Sequence, residues 1–317
     1  MPRFDVAIAG ELNLDLILYG FPESLPPERE LLANDMSVTL GSSSAIVAHN
    51  LAALGSKVGF TSCVGDDDFG RIALSRLRQI GVDISTVVEL PDEKTGVTVI
   101  LPREKWRNIL TYPGTIAKLA QHHLDFEFLS SARHFHLSSY FLQTALQPFI
   151  PDLFRRLKAA GLTISLDTND DPADEWQSGA QQILPLVDVF LPNQREAQKI
   201  TRSISLSEAL DKLTKLVPLV VVKLGSCGAI ACRGAERLSS PAIETDSLDS
   251  VGAGDSFDAG FLHAFVRGEN LKTCLENGNL AGALSVTRRG GTEAFRDGKH
   301  RQHFLSQHRE RSLRQAK

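Results

Sequence analysis

The stretch DSVGAGDSFDAGF, at residues 249–261, places three small residues directly before a carboxylate and then continues with apolar residues at helical spacing. This spacing predicts a helix with Asp255 in its first turn. The small residues Gly252, Ala253 and Gly254 let backbone N–H groups converge where the helix contributes roughly half a positive charge. The stretch therefore predicts an anion site with a carboxylate at its rim.

The composition is that of an ordinary globular protein: 317 residues, 42% hydrophobic, with a formal net charge of −4. No apolar run approaches the roughly 18 residues of a membrane span, and the first ten residues lack the features of a signal peptide. We therefore expect a cytoplasmic protein with no membrane partner. The net charge argues against a general nucleic-acid binder, although residues 296–317 are rich in Arg and Lys. A solvated terminal helix or tail is favoured there over a polyanion-binding segment.

The four cysteines show no CxxC spacing, so reduced thiols are expected and a zinc site is not. Short apolar runs alternate with helix-length amphipathic segments along most of the chain. The predicted strands are DVAIAG, KVGFTSCVG, HFHLSS, TISLDT, VDVFLPN, LVVVKLG and GAIACRG, and the predicted helices span residues 43–54, 69–80, 148–160 and 196–200. This alternation predicts an α/β fold with a mostly parallel sheet sandwiched by helices.

Two regions interrupt the alternation, at about residues 11–39 and 95–111, because neither contains a crossover helix of convincing length. In the second region, TGVTVIL and RNILTYPG flank PREKWR, which predicts a hairpin. We expect the two regions to form a small β-sheet lid over the C-terminal ends of the main strands, within a single domain spanning residues 1–317. Ligands of open α/β sheets bind at those ends. The lid's edge strands also suggest a homodimer through the lid.

Other phosphate-binding loops do not fit. A Walker loop needs GxxxxGK followed by Ser or Thr, and the sequence contains no such string. A dinucleotide fingerprint, GxGxxG, would require glycine where Phe257 stands.

The stretch DSVGAGDSF resembles the DTxGAGDxF signature of the ribokinase (PfkB-type) family of small-molecule kinases, with Ser250 in place of threonine. Further elements occur in the family's order: GELNLD, GSSSAIVAHNLAALG, VGDDDFG, SLDTN, LPNQREA, VVVKLGSCGA and NLAGALSVTRRGG. The resemblance implies a ribokinase-like fold and ATP-dependent phosphorylation of a hydroxyl group of a small sugar or sugar derivative. ATP and Mg²⁺ are the implied cofactors.

By this resemblance, Asp255 is the catalytic base, and the N–H groups of Gly252, Ala253 and Gly254 stabilise the transferring phosphoryl group. A loose phosphoryl-transfer transition state needs orientation and charge neutralisation more than a strong base, so a carboxylate at a helix N-terminus suffices. The alternative is an aspartate that only caps its own helix.

The resemblance also assigns metal positions. Asn193 and Glu196 in LPNQREA match an NxxE motif that helps to hold Mg²⁺ and its waters in the family. The alternative is a capping asparagine and a solvated glutamate at a strand-to-helix junction. Some members bind a monovalent cation at the positions of Asp249 and the carbonyl groups of residues 285–291, and the sequence leaves a potassium requirement open.

The nucleotide side of the site is implied by KLGSCG and by one helical asparagine. Gly225 and Gly228 permit close backbone approach to the ATP phosphates and ribose. Lys223 is a candidate phosphate ligand, with a solvent-facing lysine as the equal alternative. Asn279 matches an asparagine near the adenine in relatives, with an ordinary polar helix position as the alternative.

The acceptor side is implied by GELNLD and by the helix that follows residue 41. Asp15 can accept hydrogen bonds from two vicinal hydroxyl groups, and Asn13 assists it. The family's usual GG pair reads Gly41 and Ser42, and its usual asparagine reads Ile46. These departures argue against simply copying ribose or fructose specificity.

Two other functions stay open. A nucleoside kinase of the same family would be favoured by an aromatic pair stacking on the acceptor base, with Tyr112 and Tyr140 as the nearest candidates. A catalytically idle sugar-binding or regulatory protein is the alternative outside enzymes, although the intact GAGD and NxxE strings argue against it.

Overall fold

The computed structural model describes residues 2–22, 24, 26–103, 107–176 and 179–315. Residues 104–106, in the predicted hairpin turn, and residues 23 and 25, in the predicted first lid segment, lie outside the described residues.

Fourteen strands are present in the described ranges, numbered β1 to β14 in chain order. They are Phe4–Ala9, Asn13–Tyr19, Asp35–Leu40, Val58–Thr61, Cys63–Gly65, Val88–Leu90, Gly96–Pro102, Arg107–Tyr112, Ala132–Ser138, Thr163–Asp167, Val189–Phe190, Leu219–Lys223, Ala229–Arg233 and Glu236–Ser240. Each predicted strand corresponds to one of these, except that KVGFTSCVG forms two, β4 in the main sheet and β5 in a two-stranded sheet with β6.

The same ranges contain α-helices α1 to α11. They are Ser43–Ala53, Asp68–Gln79, Phe126–Ser130, Ile150–Ala159, Ala180–Ile183, Gln194–Thr201, Leu206–Leu213, Ala253–Phe265, Leu271–Ser285, Glu293–Arg296 and Gly298–Gln315. Short 3₁₀ turns lie at Gly114–Lys118, Gln121–His123, Tyr140–Leu142, Gln147–Phe149, Leu184–Leu186 and Gly225–Cys227. None of these helices is both long enough and apolar enough to cross a membrane.

The main sheet has eight strands in the order β14-β13-β12-β11-β10-β9-β1-β4. The strands from β12 to β4 are parallel, and β13 and β14 continue the sheet in antiparallel pairing. The predicted mostly parallel sheet is confirmed. Strand β14 was not predicted, because Leu238 is the one strongly apolar residue in its sequence, ERLSS.

Helices cover both faces of the main sheet, as successive residues of β1 illustrate. Val6 and Ile8 belong to a hydrophobic cluster shared with α1, α2, α8 and α9. Ala7 and Ala9 belong to a second cluster shared with α3 to α7. All four side chains are fully buried, because successive residues of a central parallel strand point into opposite cores.

A smaller sheet, in the order β3-β2-β7-β8, is built from the two segments that interrupt the alternation of strands and helices. In its register Asp15 lies opposite Thr98, and Thr98 lies opposite Thr111, so these three residues share one face. Leu16, Val99 and Leu110 share the other face. The first face is directed toward α8, because Ile17 and Ile100 pack against Val251.

Two buried histidines on β9 form a hydrogen-bonded chain with β10. His134 Nε2 and His136 Nδ1 each lie 2.7 Å from the Ser165 hydroxyl, and His136 Nε2 lies 2.7 Å from Ser138 Oγ. Burial lowers the pKa of His134 to about 3 and that of His136 to about 4. Both rings are therefore neutral at physiological pH.

We expect these two histidines to make the free energy of unfolding fall as the pH is lowered from 7 to 5. The unfolded chain takes up protons below about pH 6.5, whereas the folded chain does not until the pH approaches the lowered pKa values. The measurement is urea denaturation at several pH values, for the wild type and for His134→Gln. The variant should lose less stability over this interval than the wild type, and an equal loss in both proteins would contradict the expectation.

Candidate active site

The turn before α8 has a backbone that only glycine accommodates at its first position. Gly252 has φ of 70°, in the left-handed region. A Cβ atom on Gly252 would lie 2.6 Å from Gly291 Cα and 3.2 Å from Ile46 Cδ1. The Gly254 and Asp255 N–H groups form no hydrogen bond with the described residues. These amides therefore remain available to an anion at the helix N-terminus.

Asp255 lies in the first turn of α8, as predicted. Its Oδ1 accepts a short hydrogen bond from Ser43 Oγ, and the Asn169 side chain lies near the carboxyl group. Enclosure by the protein raises the pKa of Asp255, and the nearby charge of Asp167 raises it further, whereas Ser43, Lys223 and Asn169 oppose the rise. The carboxylate is thus oriented by α1.

Three predicted acceptor residues come together on the facing side of the cleft. A Cβ atom on Gly41 would overlap the Asp15 carboxylate and would lie 2.8 Å from Asn13 Oδ1. Asn13 Nδ2 donates to Thr98 Oγ1 over 3.0 Å, whereas its Oδ1 is buried with no partner among the described residues. Burial, together with the charge of Asp255, raises the pKa of Asp15 to about 7. Oxygen acceptors for hydroxyl groups are therefore concentrated opposite Asp255.

Ser42, the fourth predicted acceptor residue, is occupied by the protein itself. Its hydroxyl donates to the Glu11 carbonyl oxygen over 2.6 Å and accepts from the Ala45 N–H, which caps α1. Ile46 is buried behind the turn, where its Cδ1 approaches the backbone of Gly252 and Gly291. The apolar residue at position 46 therefore supports the anion site from behind.

Asn193 and Glu196 form a reciprocal cap at the start of α6. The Glu196 N–H donates to Asn193 Oδ1 over 2.9 Å, and the Asn193 N–H donates to Glu196 Oε2 over 2.8 Å. Glu196 is 5% exposed, and burial, followed by the charge of Asp167, raises its pKa to about 8. The capping geometry of the alternative interpretation is therefore present, but the glutamate is buried near the cleft rather than solvated.

Two predicted nucleotide residues meet around the end of β14. Asn279 Nδ2 donates to the carbonyl oxygens of Ser240 and Pro241, over 3.1 and 3.0 Å. Gly228, with φ of 92°, packs against the same segment, since a Cβ atom there would lie 2.6 Å from the Ala242 nitrogen. Gly225 also has a positive φ, but a Cβ atom there would meet no atom of the described residues within 4 Å. The turn after β12 thus presents open backbone at Gly225.

Lys223, at the end of β12, lies between two buried carboxylates. Its Nζ is 2.6 Å from Asp167 Oδ2 and 3.0 Å from Asp258 Oδ2. A Cβ atom on Gly254 would lie 3.7 Å from the same nitrogen. The lysine therefore lies beside the turn at residues 252–255, called the anion turn below. It is neither solvent-facing nor free of partners.

The model of the pfkB family carbohydrate kinases matches residues 3–297. The chain belongs to this family. An uncharacterized sugar kinase from Archaeoglobus fulgidus is 27% identical over 246 residues, which are 77% of this chain and 97% of that protein. An ATP-dependent ribose-1-phosphate kinase from Halopiger xanaduensis is 29% identical over 292 residues, 91% of this chain and 94% of that protein.

Solved structures show the same architecture. The Arabidopsis thaliana ribokinase complexed with ribose and ATP superposes with a TM-score of 0.81 at 24% identity, covering 96% of this chain and 99% of that one. The predicted ribokinase-like fold and the predicted activity, ATP-dependent phosphorylation of a carbohydrate, are both confirmed.

Sequence reasoning missed several residues that shape the kinase site. Ser43 donates to the Asp255 carboxylate, and Asn169 lies near that carboxyl group. Asp167 and Asp258 hold Lys223, and Glu11 accepts from the Ser44 hydroxyl over 2.7 Å. Asp167 and Asn169 lie in SLDTN, which was noted as a family string without a role. Asp258 follows Asp255 by three residues, a helical spacing that was a usable signal.

We expect Gly252→Ala to impair the kinase more than a change of backbone conformation alone would. Gly268→Ala is the matched control, because Gly268 has φ of 76° and a Cβ atom there would meet nothing within 4 Å in the part of the chain that the structure describes. The control should lose about 1–2 kcal/mol of unfolding free energy from the left-handed backbone. Gly252→Ala should lose more, with a fall in kcat, since its methyl group would overlap Gly291. Urea denaturation and ADP release measure the two effects, and equal results for both variants would contradict the role of this close approach.

Proposed function

We propose that the kinase transfers the γ-phosphoryl group of ATP to a hydroxyl group of a small polyhydroxylated acceptor held between the smaller sheet and the N-terminus of α8. The observation that carries this proposal is the position of Asp255. Its carboxylate lies beside the unbonded N–H groups of the anion turn. Asp15 lies close enough for the charge of Asp255 to raise the pKa of Asp15. An acceptor hydroxyl between the two carboxylates is thus placed at the anion site.

Asp255 takes the proton of the acceptor hydroxyl. The acceptor oxygen then bonds to the γ-phosphorus, the bond from that phosphorus to the bridging oxygen breaks, and ADP leaves with the bond's electron pair. The unbonded amides of Gly254 and Asp255 stabilise the charge on the transferring group, whereas the predicted amide of Ala253 already donates to the Ser250 carbonyl oxygen over 3.3 Å. The hydrogen bond from Ser43 orients the base. Closure of the smaller sheet over the cleft excludes water from the reaction.

Asn13 and Asp15 recognise the acceptor. The unpartnered Asn13 Oδ1 and the Asp15 carboxylate provide neighbouring oxygen acceptors, which fit vicinal hydroxyl groups of a sugar or sugar derivative. Gly41 permits this arrangement because a side chain there would fill the space beside Asp15. Ser42 contributes backbone rather than hydroxyl contacts, since its hydroxyl is already hydrogen-bonded.

The ATP site follows the turn after β12. The open backbone at Gly225 supports close approach of the nucleotide, and Gly228 and Asn279 fix the adjoining segment at Ser240. Asn279 uses its amide nitrogen on the protein, which leaves its Oδ1 for a ligand. Lys223 lies beside the phosphates but is held by its own carboxylates.

Glu196 and Asn193 would hold Mg²⁺ through its bound waters, and the metal supplies charge neutralisation to the phosphate oxygens. The residues fit a hard cation, because Glu196 is a buried carboxylate with spare lone pairs near Asp167. For K⁺, the candidate oxygens are those of Asp249 and the buried Ser285 hydroxyl, which has no partner among the described residues. The two segments adjoin, since the Leu248 N–H donates to the Val286 carbonyl oxygen over 2.8 Å.

The nucleoside alternative gains no support from the two tyrosines named for it. Tyr112 is half-exposed on the face of the smaller sheet opposite Asp15. Tyr140 is buried in the main core against Phe141. A sugar or sugar derivative therefore remains the proposed acceptor, with the cytoplasm as the proposed location.

The smaller sheet also supports a homodimer. Strand β8 is an edge of that sheet, and all its residues are exposed, including Leu110 at 58% and Tyr112 at 50%. An apolar edge strand invites pairing with another chain. A second copy of this chain, bound through β8 and the outer face of the smaller sheet, would cover these residues.

We expect Asp255→Asn to lower kcat by about 10²- to 10⁴-fold, since the base is lost while the hydrogen bond to Ser43 can persist. ADP release with Mg²⁺ is measured across pentoses, hexoses, sugar acids and nucleosides, with and without K⁺. Asp66→Asn, an exposed carboxylate on the loop before α2, is the control and should retain wild-type turnover. Equal turnover by wild type and Asp255→Asn would refute the assigned base, and an inert wild type that still binds ATP would favour the idle sugar-binding protein.

We expect Leu110→Asp to dissociate the dimer, because it places a charge on the proposed apolar interface. Ile204→Asp, on the 95% exposed residue between α6 and α7, is the matched control and should leave the mass unchanged. Light scattering coupled to size exclusion measures the mass. A monomeric wild type at working concentrations would rule out the proposed dimer.

A further inference from the structure

The Lys223 side chain joins three elements beneath the anion turn. Its Nζ contacts Asp167 at the end of β10 over 2.6 Å, and both carboxylate oxygens of Asp258 on α8 over 3.2 and 3.0 Å. The lysine side chain is 11% exposed, and the two aspartates are 1% and 0% exposed. The ammonium and the two carboxyl groups therefore form a buried cluster that connects α8 to the carboxyl ends of two sheet strands. Burial, together with the charge of Asp167, raises the pKa of Asp258 well above its usual range.

The cluster lies next to the reacting groups. Asp258 follows Asp255 by three residues, so the two carboxylates are neighbours on one side of α8. Gly254 approaches the ammonium, with 3.7 Å between Nζ and a Cβ atom built on that glycine. A shift of Lys223 would consequently tilt the first turn of α8, which carries both the base and the anion-binding amides.

The donors of Lys223 are already used. An ammonium group has three N–H donors, and three carboxylate oxygens lie within hydrogen-bond distance of this one. The negative groups around it raise its pKa despite its burial, so it stays charged. A direct bond to an ATP phosphate would require breaking one of these buried contacts.

The charges facing Asp255 come from several elements. The acidic groups are Asp15 on β2, Asp167 on β10 and Asp258 on α8, and Glu196 on α6 lies beside Asp167. Lys223 on β12 opposes them, and its charge lowers the pKa of Asp255. Bound ATP adds further negative charge, and interactions between charges are strong where water is excluded.

We propose that Lys223, held between Asp167 and Asp258, is a positioning residue that fixes the first turn of α8 and keeps Asp255 ionised while ATP is bound, rather than a ligand of the ATP phosphates. This inference rests on the proposed function. The Lys223–Asp258 pair acts on catalysis indirectly, by holding Asp255 and the anion turn in position.

The experiment compares the wild type with Lys223→Met, Lys223→Arg and Lys223→Met/Asp167→Asn. Lys199→Met is the matched control, since it removes a lysine paired with Asp174 at the surface. Measured are kcat across pH 5.5 to 9, the Kd for ATP by calorimetry, and the melting temperature. Calorimetry reports nucleotide binding independently of turnover.

Lys223→Met should lower kcat by about 100-fold, as expected for a misplaced catalytic group, and should change the Kd for ATP by less than about threefold. Its activity should rise with pH about one unit later than that of the wild type, because a nearby positive charge is lost. Removing the negative charge of Asp167 as well, in Lys223→Met/Asp167→Asn, should move this limb back toward the wild type, because that charge raises the pKa of Asp255. Lys223→Arg should keep the wild-type limb with a lower kcat, and it tests the proposal even where Lys223→Met does not fold.

A raised Kd for ATP with an unchanged kcat at saturating ATP, in either single variant, would overturn the proposal and make Lys223 a phosphate ligand. An unshifted acid limb in a folded Lys223→Met would overturn it as well. If the wild type phosphorylates none of the acceptors, the proposed kinase function itself is overturned. If the wild type phosphorylates an acceptor, a failed expectation for the variants concerns the role of Lys223 alone.

Discussion

The site depends on the close packing of the glycine turn at residues 252–254 against the backbone of Gly291. Gly252 adopts a left-handed conformation against Gly291, and Ile46 fills the space behind both glycines. The turn is thereby fixed by a helix, α1, that lies about two hundred residues earlier in the chain. The Gly254 and Asp255 amides can then stay without partners among the described residues, because the surrounding backbone is already held in place.

Burial of like charges is the second theme of the structure. Asp15, Glu196 and Asp255 all have raised pKa values, and burial is the largest cause in each. Such a cluster is tolerable only with compensating cations and hydrogen-bond donors, because a buried charge without a partner is strongly unfavourable. Lys223 and Ser43 supply part of that compensation from the protein. The charge of a magnesium nucleotide bound there would have to be compensated within this same arrangement of acidic groups, cation and hydrogen-bond donor.

The sequence predicted the elements better than their contacts. The strands of the parallel sheet were recognisable because buried central strands are continuous apolar runs, and the turn at 252–254 because small residues precede a helical pattern. The hydrogen bond from Ser43 to Asp255 joins residues 212 apart, and no local pattern encodes such a pairing. Asn193 and Glu196 show the same limit, since their spacing fits a cap and a metal support equally well. Only the three-dimensional surroundings showed that Glu196 is buried beside other carboxylates.

The contacts of Tyr19 connect the smaller sheet to the loop before the anion turn. Its hydroxyl donates to Asp249 over 3.2 Å, Arg289 lies 4.1 Å above its ring, and Arg289 also pairs with Asp35 on the neighbouring strand. Beside them, Ile17 and Ile100 pack on Val251, directly before the anion turn. Asp249 and Val251 lie in the loop that leads into the anion turn, whereas Arg289 lies in the segment after α9. An outward movement of the smaller sheet would break these contacts, so the mobility of that sheet and the rigidity of the loop before the turn are linked.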